Sequence, residues 1–253
     1  MHEYPGATTS VPVPPQTPRR IAAVLFDMDG TLLDSEPVYY ESEKAFLAGY
    51  GIDFAPELKD TFTGRGAVEM FRMLDQMFPD SPLCRVPSTD RLRLKDEAYL
   101  ALAVEKVEPF PAVVELARAL AGRGVPMAIA SGSSSAVIEL MVRKHGLESL
   151  FPVRVSASEV PRGKPEPDVF LEAARRCGVS PAECLVLEDS RLGVAAALAA
   201  GMACIALPEP GVSSPEAFSS ADLVVQGGAS CLDVDLVLRR YDWLPRPTNK
   251  PEH

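Results

Sequence analysis

The segment Asp27-Met28-Asp29-Gly30-Thr31 directly follows a compact apolar run, Ile21–Phe26. In extended backbone, side chains at i and i+2 point the same way, so both carboxylates can converge just beyond a strand end. Two close carboxylates repel each other unless a cation lies between them, which invites a hard metal such as Mg²⁺. An acidic turn at a strand end would carry the same residues. Three further segments have a similar placement. Ser131 ends the run Val125–Ala130, and Gly132, Ser133, Ser134 and Ser135 lead into a helical pattern. Hydroxyls and free N–H groups at a helix start can hold an anion, or can simply cap the helix. Lys164 lies in Arg162-Gly163-Lys164-Pro165-Glu166-Pro167-Asp168-Val169-Phe170, where two prolines fix a turn before a helix. An ammonium held there would offset carboxylate and phosphate charge; the ordinary fate of a lysine is a solvated surface position. Glu188-Asp189-Ser190 follows Cys184–Leu187. Asp189 either caps the next helix or completes a metal site with Asp27.

These residues need a scaffold that brings strand ends together. The runs Ile21–Phe26, Val125–Ala130, Val153–Ser156, Cys184–Leu187, Ala203–Leu207 and Leu223–Val225 are short and continuously apolar. Such runs suit strands of a parallel sheet covered on both faces. Helical patterns separate them. Val113, Leu116, Ala117 and Leu120 form one apolar stripe, Val137, Leu140 and Met141 start another, and Ala195–Ala200 is a small-residue helix. The alternation predicts an α/β fold, a doubly wound Rossmann-like parallel sheet. Between Phe26 and Val125 there is no convincing strand, only helical patterns over Glu36–Gly49, Gly66–Phe78 and Asp90–Val107. Residues 36–108 therefore read as a small inserted α-helical cap, and residues 20–35 with 109–240 as the core. Residues 1–19, with five prolines in the first 18, read as a flexible tail, and residues 241–253 as a flexible C-terminal tail.

Composition narrows the partners. The formal net charge is −10, which repels nucleic acid and anionic lipid. No apolar run reaches the length of a membrane span, and the first residues do not read as a secretory signal. The five cysteines are odd in number and unpaired in spacing, as expected of reduced thiols in a cytoplasmic protein. Two of the three histidines, His2 and His253, lie at the chain ends. A His-based zinc site or a Ser-His-Asp triad is thereby disfavoured. Neither a membrane nor a nucleic acid is expected as partner, and the expected state is a monomer or weak dimer.

The four segments resemble, in order and spacing, the four motifs of the haloacid dehalogenase-like hydrolase superfamily. Asp27 to Glu36 resembles the first motif, Ser131 the second, Lys164 the third and Glu188-Asp189 the fourth, over roughly Arg20 to Pro208. The insert resembles the helical cap of the subclass with phosphoglycolate phosphatases, sugar-phosphate phosphatases and β-phosphoglucomutases. The resemblance implies a phosphatase acting on a small phosphorylated metabolite through an aspartyl-phosphate. Asp27 would be the nucleophile and Asp29 the acid and base. Ser131 and Lys164 would bind the transferring phosphoryl group. Asp27, the Asp29 carbonyl and Asp189 would hold Mg²⁺, with Glu188 in support. Mutases of the subclass usually carry a histidine where this chain has Tyr39, which weakens a mutase reading. Metal-free dehalogenases normally lack the second aspartate, present here as Asp29. A silent binding protein on the same fold is a third alternative. Arg65, between Gly64 and Gly66, is the candidate cap residue for substrate contact, or an ordinary surface arginine. Gly30, Gly132 and Ser133 are further expected substrate contacts.

Overall fold

The computed structural model describes residues 18–62, 65–210 and 215–245. The strands are β1 (Arg20–Ile21), β2 (Ala23–Phe26), β3 (Met127–Ser131), β4 (Val153–Ser156), β5 (Cys184–Glu188), β6 (Ala203–Ala206), β7 (Leu223–Val224) and β8 (Asp242–Trp243). The helices are α1 (Glu36–Ala48), α2 (Pro56–Phe62), α3 (Ala67–Met77), α4 (Ser88–Lys106), α5 (Pro111–Gly122), α6 (Ser135–Lys144), α7 (Asp168–Cys177), α8 (Arg191–Ala199) and α9 (Val234–Arg240).

Six strands form one parallel sheet in the order β4-β3-β2-β5-β6-β7. Along β2, Val24 and Phe26 enter one apolar cluster with residues of α5, α6 and α9. Ala23 and Leu25 enter a second cluster with residues of α7 and α8. Both faces of the sheet are covered, which explains why its strands read as unbroken apolar runs. From β2 the sheet extends to β3 on one side and to β5 on the other. The strand order reverses there, and the crevice beyond such a reversal is where α/β sheets hold their sites.

Helices α1 to α4 are inserted between β2 and β3. They have an apolar cluster of their own, which includes Leu47, Phe54, Phe62, Phe71, Leu74 and Leu83. Val38, Tyr99 and Ala103 join the main core instead. The two connecting segments run side by side. Asp34 N donates to Glu108 O at 2.9 Å, and Phe110 N donates to Leu32 O at 2.9 Å. Helix α2 had no clear pattern in the sequence, and Thr63 and Gly64 lie outside the described residues.

The expected C-terminal tail over 241–253 is corrected by the fold at residues 241–244, and residues 246–253 lie outside the described residues. Asp242–Trp243 pairs in parallel with Arg20–Ile21, and Leu244 N donates to Ile21 O at 2.8 Å. Tyr241 is buried, its ring packs edge-on to Trp243 at 5.6 Å, and Trp243 Nε1 donates to Leu238 O. Two aromatic side chains thus anchor a polar, proline-containing stretch that has no apolar run. Residues 1–17 of the expected N-terminal tail lie outside the described residues.

Candidate active site

Four loops at the C-terminal edge of the sheet meet at the end of β2. Asp27 is the first residue beyond that strand, and its N–H donates to Leu187 O at 3.0 Å, which joins it to the end of β5. Lys164 Nζ lies 2.5 Å from Asp27 Oδ1 and 2.6 Å from Glu188 Oε2. Lys164 is buried, so the solvated-lysine reading fails. Glu188, the last residue of β5, turns its second oxygen to Ser190, whose N–H and Oγ donate to Oε1 at 3.0 and 2.7 Å. Ser190 also caps α8 by accepting from Gly193 N at 3.0 Å. The cap is therefore Ser190, and Asp189 is left for other work. Similarly, Ser134 rather than Ser131 caps α6.

Asp189 accepts from Thr31 Oγ1 at 3.2 Å. A Cβ on Gly30 would lie 2.4 Å from Asp189 Oδ2, and Gly30 has φ +76°. Only glycine satisfies both the left-handed backbone and the close approach. Gly30 makes room for Asp189 and is not among the residues that line the cavity above the site.

One oxygen from each of Asp27, Glu188 and Asp189 lies within 4.8 Å of the others. Burial, together with the Glu188 and Asp29 charges, pushes the Asp27 carboxyl well above its ordinary value against the pull of Lys164. Burial and the Glu188, Asp27 and Glu36 charges do the same to Asp189. Burial opposes charge on Lys164, but Asp27 and Glu188 outweigh it and hold its value above the ordinary one. One ammonium faces three carboxylates. Their all-oxygen donors and uncompensated negative charge fit a hard divalent cation.

Asp29 occupies a separate polar nest. Its Oδ1 accepts from Ser35 Oγ at 2.8 Å, and its Oδ2 accepts from Ser133 Oγ at 2.7 Å and Ser131 Oγ at 3.3 Å. Burial raises Asp29 above its ordinary value, and the Ser133 and Ser35 hydroxyls partly offset this. Ser133 Oγ shares a 2.7 Å hydrogen bond with Tyr39 OH, whose ring stacks on Tyr99 at 3.8 Å. The insert thereby touches the core beside Asp29. Ser131 is fully buried behind this nest, accepts from Ser133 N at 3.0 Å, and does not line the cavity.

A cavity of about 690 Å³ opens above these groups, between the strand ends and the helical insert. Asp27, Asp29, Lys164, Glu188 and Asp189 line its floor with Gly132 and Ser133. Arg65 lines it from the insert, with Nε donating to Thr61 O at 3.1 Å. Sequence reasoning missed several lining residues. Lys95 pairs with Glu43 at 3.0 Å over the Tyr39 ring, and Lys59 with Glu36 at 3.3 Å. Ser35, which does not line the cavity but donates to Asp29, carried a signal, because it lies in the stretch that resembles the first motif. Lys59 and Lys95 carried none: a lysine in a helical pattern looks the same whether it faces water or a cavity.

A doubly wound α/β fold with acids and a lysine gathered at its strand-order reversal defines a hydrolase-type scaffold. The chain belongs to the haloacid dehalogenase-like hydrolases, whose family model matches residues 21–201. The fructose-1-phosphate phosphatase YqaB of Escherichia coli (strain K12) is 36% identical over 187 residues, covering 72% of this chain and 94% of that protein. Hexitol phosphatase B from the same organism is 34% identical over 210 residues, covering 82% and 92%. Among solved structures, CbbY from Rhodobacter sphaeroides in complex with phosphate has a TM-score of 0.75 and 27% identity, covering 83% of this chain and 95% of that one.

Proposed function

We propose that this chain is a Mg²⁺-dependent phosphatase that hydrolyses a small phosphorylated metabolite through an aspartyl-phosphate on Asp27. The observation that carries the reading is Lys164 Nζ bridging Asp27 Oδ1 and Glu188 Oε2 on the floor of a cavity, with Asp189 alongside. The phosphatase names of the relatives support it.

In this reading an Asp27 oxygen attacks phosphorus and the bond to the leaving oxygen breaks. Asp29, in its protonated form, gives its proton to the leaving oxygen. As a carboxylate it then takes a proton from the water that attacks the acyl phosphate. Asp27 is released and inorganic phosphate departs. Lys164 holds the nucleophile and offsets negative charge as it builds on the phosphoryl oxygens. Asp27, Asp189 and the Asp29 carbonyl, supported by Glu188, would hold Mg²⁺, which supplies the positive charge that lets an anionic nucleophile approach an anionic phosphate. Gly132 offers a backbone N–H to the phosphoryl group, while Ser133, whose N–H donates to Ser131 and whose hydroxyl donates to Asp29, holds the acid in place beside it. The insert acts as a cap, and its paired connecting segments are where it would pivot to exclude water. Tyr39, standing where mutases of the subclass usually carry a histidine, favours hydrolysis over a mutase reaction. The five free cysteines support a reducing, cytoplasmic setting.

Turnover of p-nitrophenyl phosphate with and without Mg²⁺ tests the class. The Asp27→Asn variant should lose turnover by several orders of magnitude with an unchanged circular dichroism spectrum. Retained activity in that variant would contradict the nucleophile.

A further inference from the structure

We infer that the substrate carries one phosphoryl group on an uncharged, hydroxyl-bearing leaving group, and that the acidic wall of the cavity disfavours a second anionic group. This rests on the phosphatase reading and narrows it. Five cationic and eight acidic side chains line the cavity. Three of those acids gather on the floor with Lys164. The remaining wall is what the leaving group meets, and its cations have carboxylates beside them. Lys95 is buried and held 3.0 Å from Glu43. Lys59 lies 3.3 Å from Glu36 and 3.8 Å from Glu209. Arg162 pairs with Glu166 at 3.0 Å and with Asp168 at 3.1 Å. The Arg65 guanidinium donates to Thr61 O, and Glu69, whose carboxyl is held below its ordinary value chiefly by its hydrogen bonds from Arg72, lies near enough for the Arg65 charge to add a smaller share.

At Lys95, Lys59 or Arg162 a second phosphate or carboxylate would therefore have to break an existing ion pair and then lie beside the freed acid, and at Arg65 it would lie near Glu69. Juxtaposed like charges are the usual means of rejecting a wrong ligand. A neutral hydroxyl has the opposite fate. Carboxylate oxygens accept from it without losing their partners, because each has several lone-pair sites. Glu43 and Asp96 face the cavity in this state, Asp96 already accepting from Ser134 Oγ at 2.5 Å. Tyr39 and Tyr40 add phenol groups, and Phe62, Met70 and Leu92 give a carbon chain an apolar surface. The volume of about 690 Å³ accommodates such a molecule and falls within the usual range of small-ligand sites.

Two matched pairs test the inference with the wild-type enzyme and Mg²⁺. They are fructose 1-phosphate against fructose 1,6-bisphosphate, and glycerol 3-phosphate against 3-phosphoglycerate. Each compound is scored as a substrate and as a competitor of p-nitrophenyl phosphate hydrolysis. The doubly anionic member of each pair should show kcat/KM, or competitive affinity, about tenfold lower, a gap set by like-charge repulsion. In Glu43→Gln and in Asp96→Asn the ratio within each pair should move toward equality. A doubly anionic member that performs as well as or better than its partner in either pair overturns the inference. Turnover of p-nitrophenyl phosphate keeps the two claims apart, since its absence sinks the phosphatase reading itself.

Discussion

Replacing Gly193 by alanine reverses the usual effect of that change. Gly193 lies in the first turn of α8, and an alanine inside a helix is ordinarily favoured over glycine by about 1 kcal/mol. Here the new Cβ would lie 1.9 Å from Glu188 Cδ and 2.1 Å from Oε2. No rotation of a methyl group relieves such an overlap, and Glu188 is 1% exposed and held by three hydrogen bonds. Moving it, even toward the cavity that it lines, gives up bonds to Lys164 at 2.6 Å and to Ser190 N and Oγ at 3.0 and 2.7 Å. Hydrogen bonds to charged groups contribute about 1.5–3 kcal/mol each, and breaking a buried ion pair costs about 3–5 kcal/mol. With partial repairing and the helix gain subtracted, the net loss is about 2–4 kcal/mol. At about 2–4 °C per kcal/mol for a chain of this size, Tm should fall by about 4–16 °C. Thermal and urea unfolding of the metal-free protein measure it. Phosphatase activity should fall as well, because Lys164 loses one of its two anchors. A Gly193→Ala protein as stable as the wild type would show that the Glu188 carboxylate is not held as described.

Two further outcomes follow from the same geometry. Mg²⁺ should raise Tm saturably and a chelator should reverse the rise, because a cation bound only by the folded state stabilises it; in Asp189→Asn the rise should shrink or vanish, and an unchanged rise would place the cation elsewhere. Tyr39→Phe keeps the stack on Tyr99 but removes the 2.7 Å bond to Ser133, so kcat should fall about three- to tenfold, the value of one net hydrogen bond, with little change in KM; steady-state kinetics on p-nitrophenyl phosphate decide, and an unchanged kcat would mean that the tie is idle.

Much of the scaffold was legible from local pattern. The central strands of the sheet sat where short apolar runs had been read, because a strand covered on both faces must be apolar at every position. The acids were found because they interrupt those runs, as Asp27 does after Phe26 and Glu188-Asp189 after Leu187. The C-terminal strand was illegible, since Asp242–Trp243 pairs through its backbone and is secured by Tyr241 and Trp243 rather than by an apolar run. Ser131 and Gly30 were placed in the right neighbourhood, but Ser131 donates to Asp29, Gly30 lies against Asp189, and neither lines the cavity.

The sequence by itself determined which chemical groups end which strands, because periodicity, glycines and prolines act over a few residues. It could not say that Lys164 is buried between Asp27 and Glu188, that Gly193 exists to make room for a carboxylate, or that Lys95 turns inward to Glu43. Those outcomes depend on which distant surfaces pack together. Asp27 and Glu188 come together only because β2 and β5 pair in register, and the direction of a side chain is settled by neighbours that arrive from elsewhere in the chain.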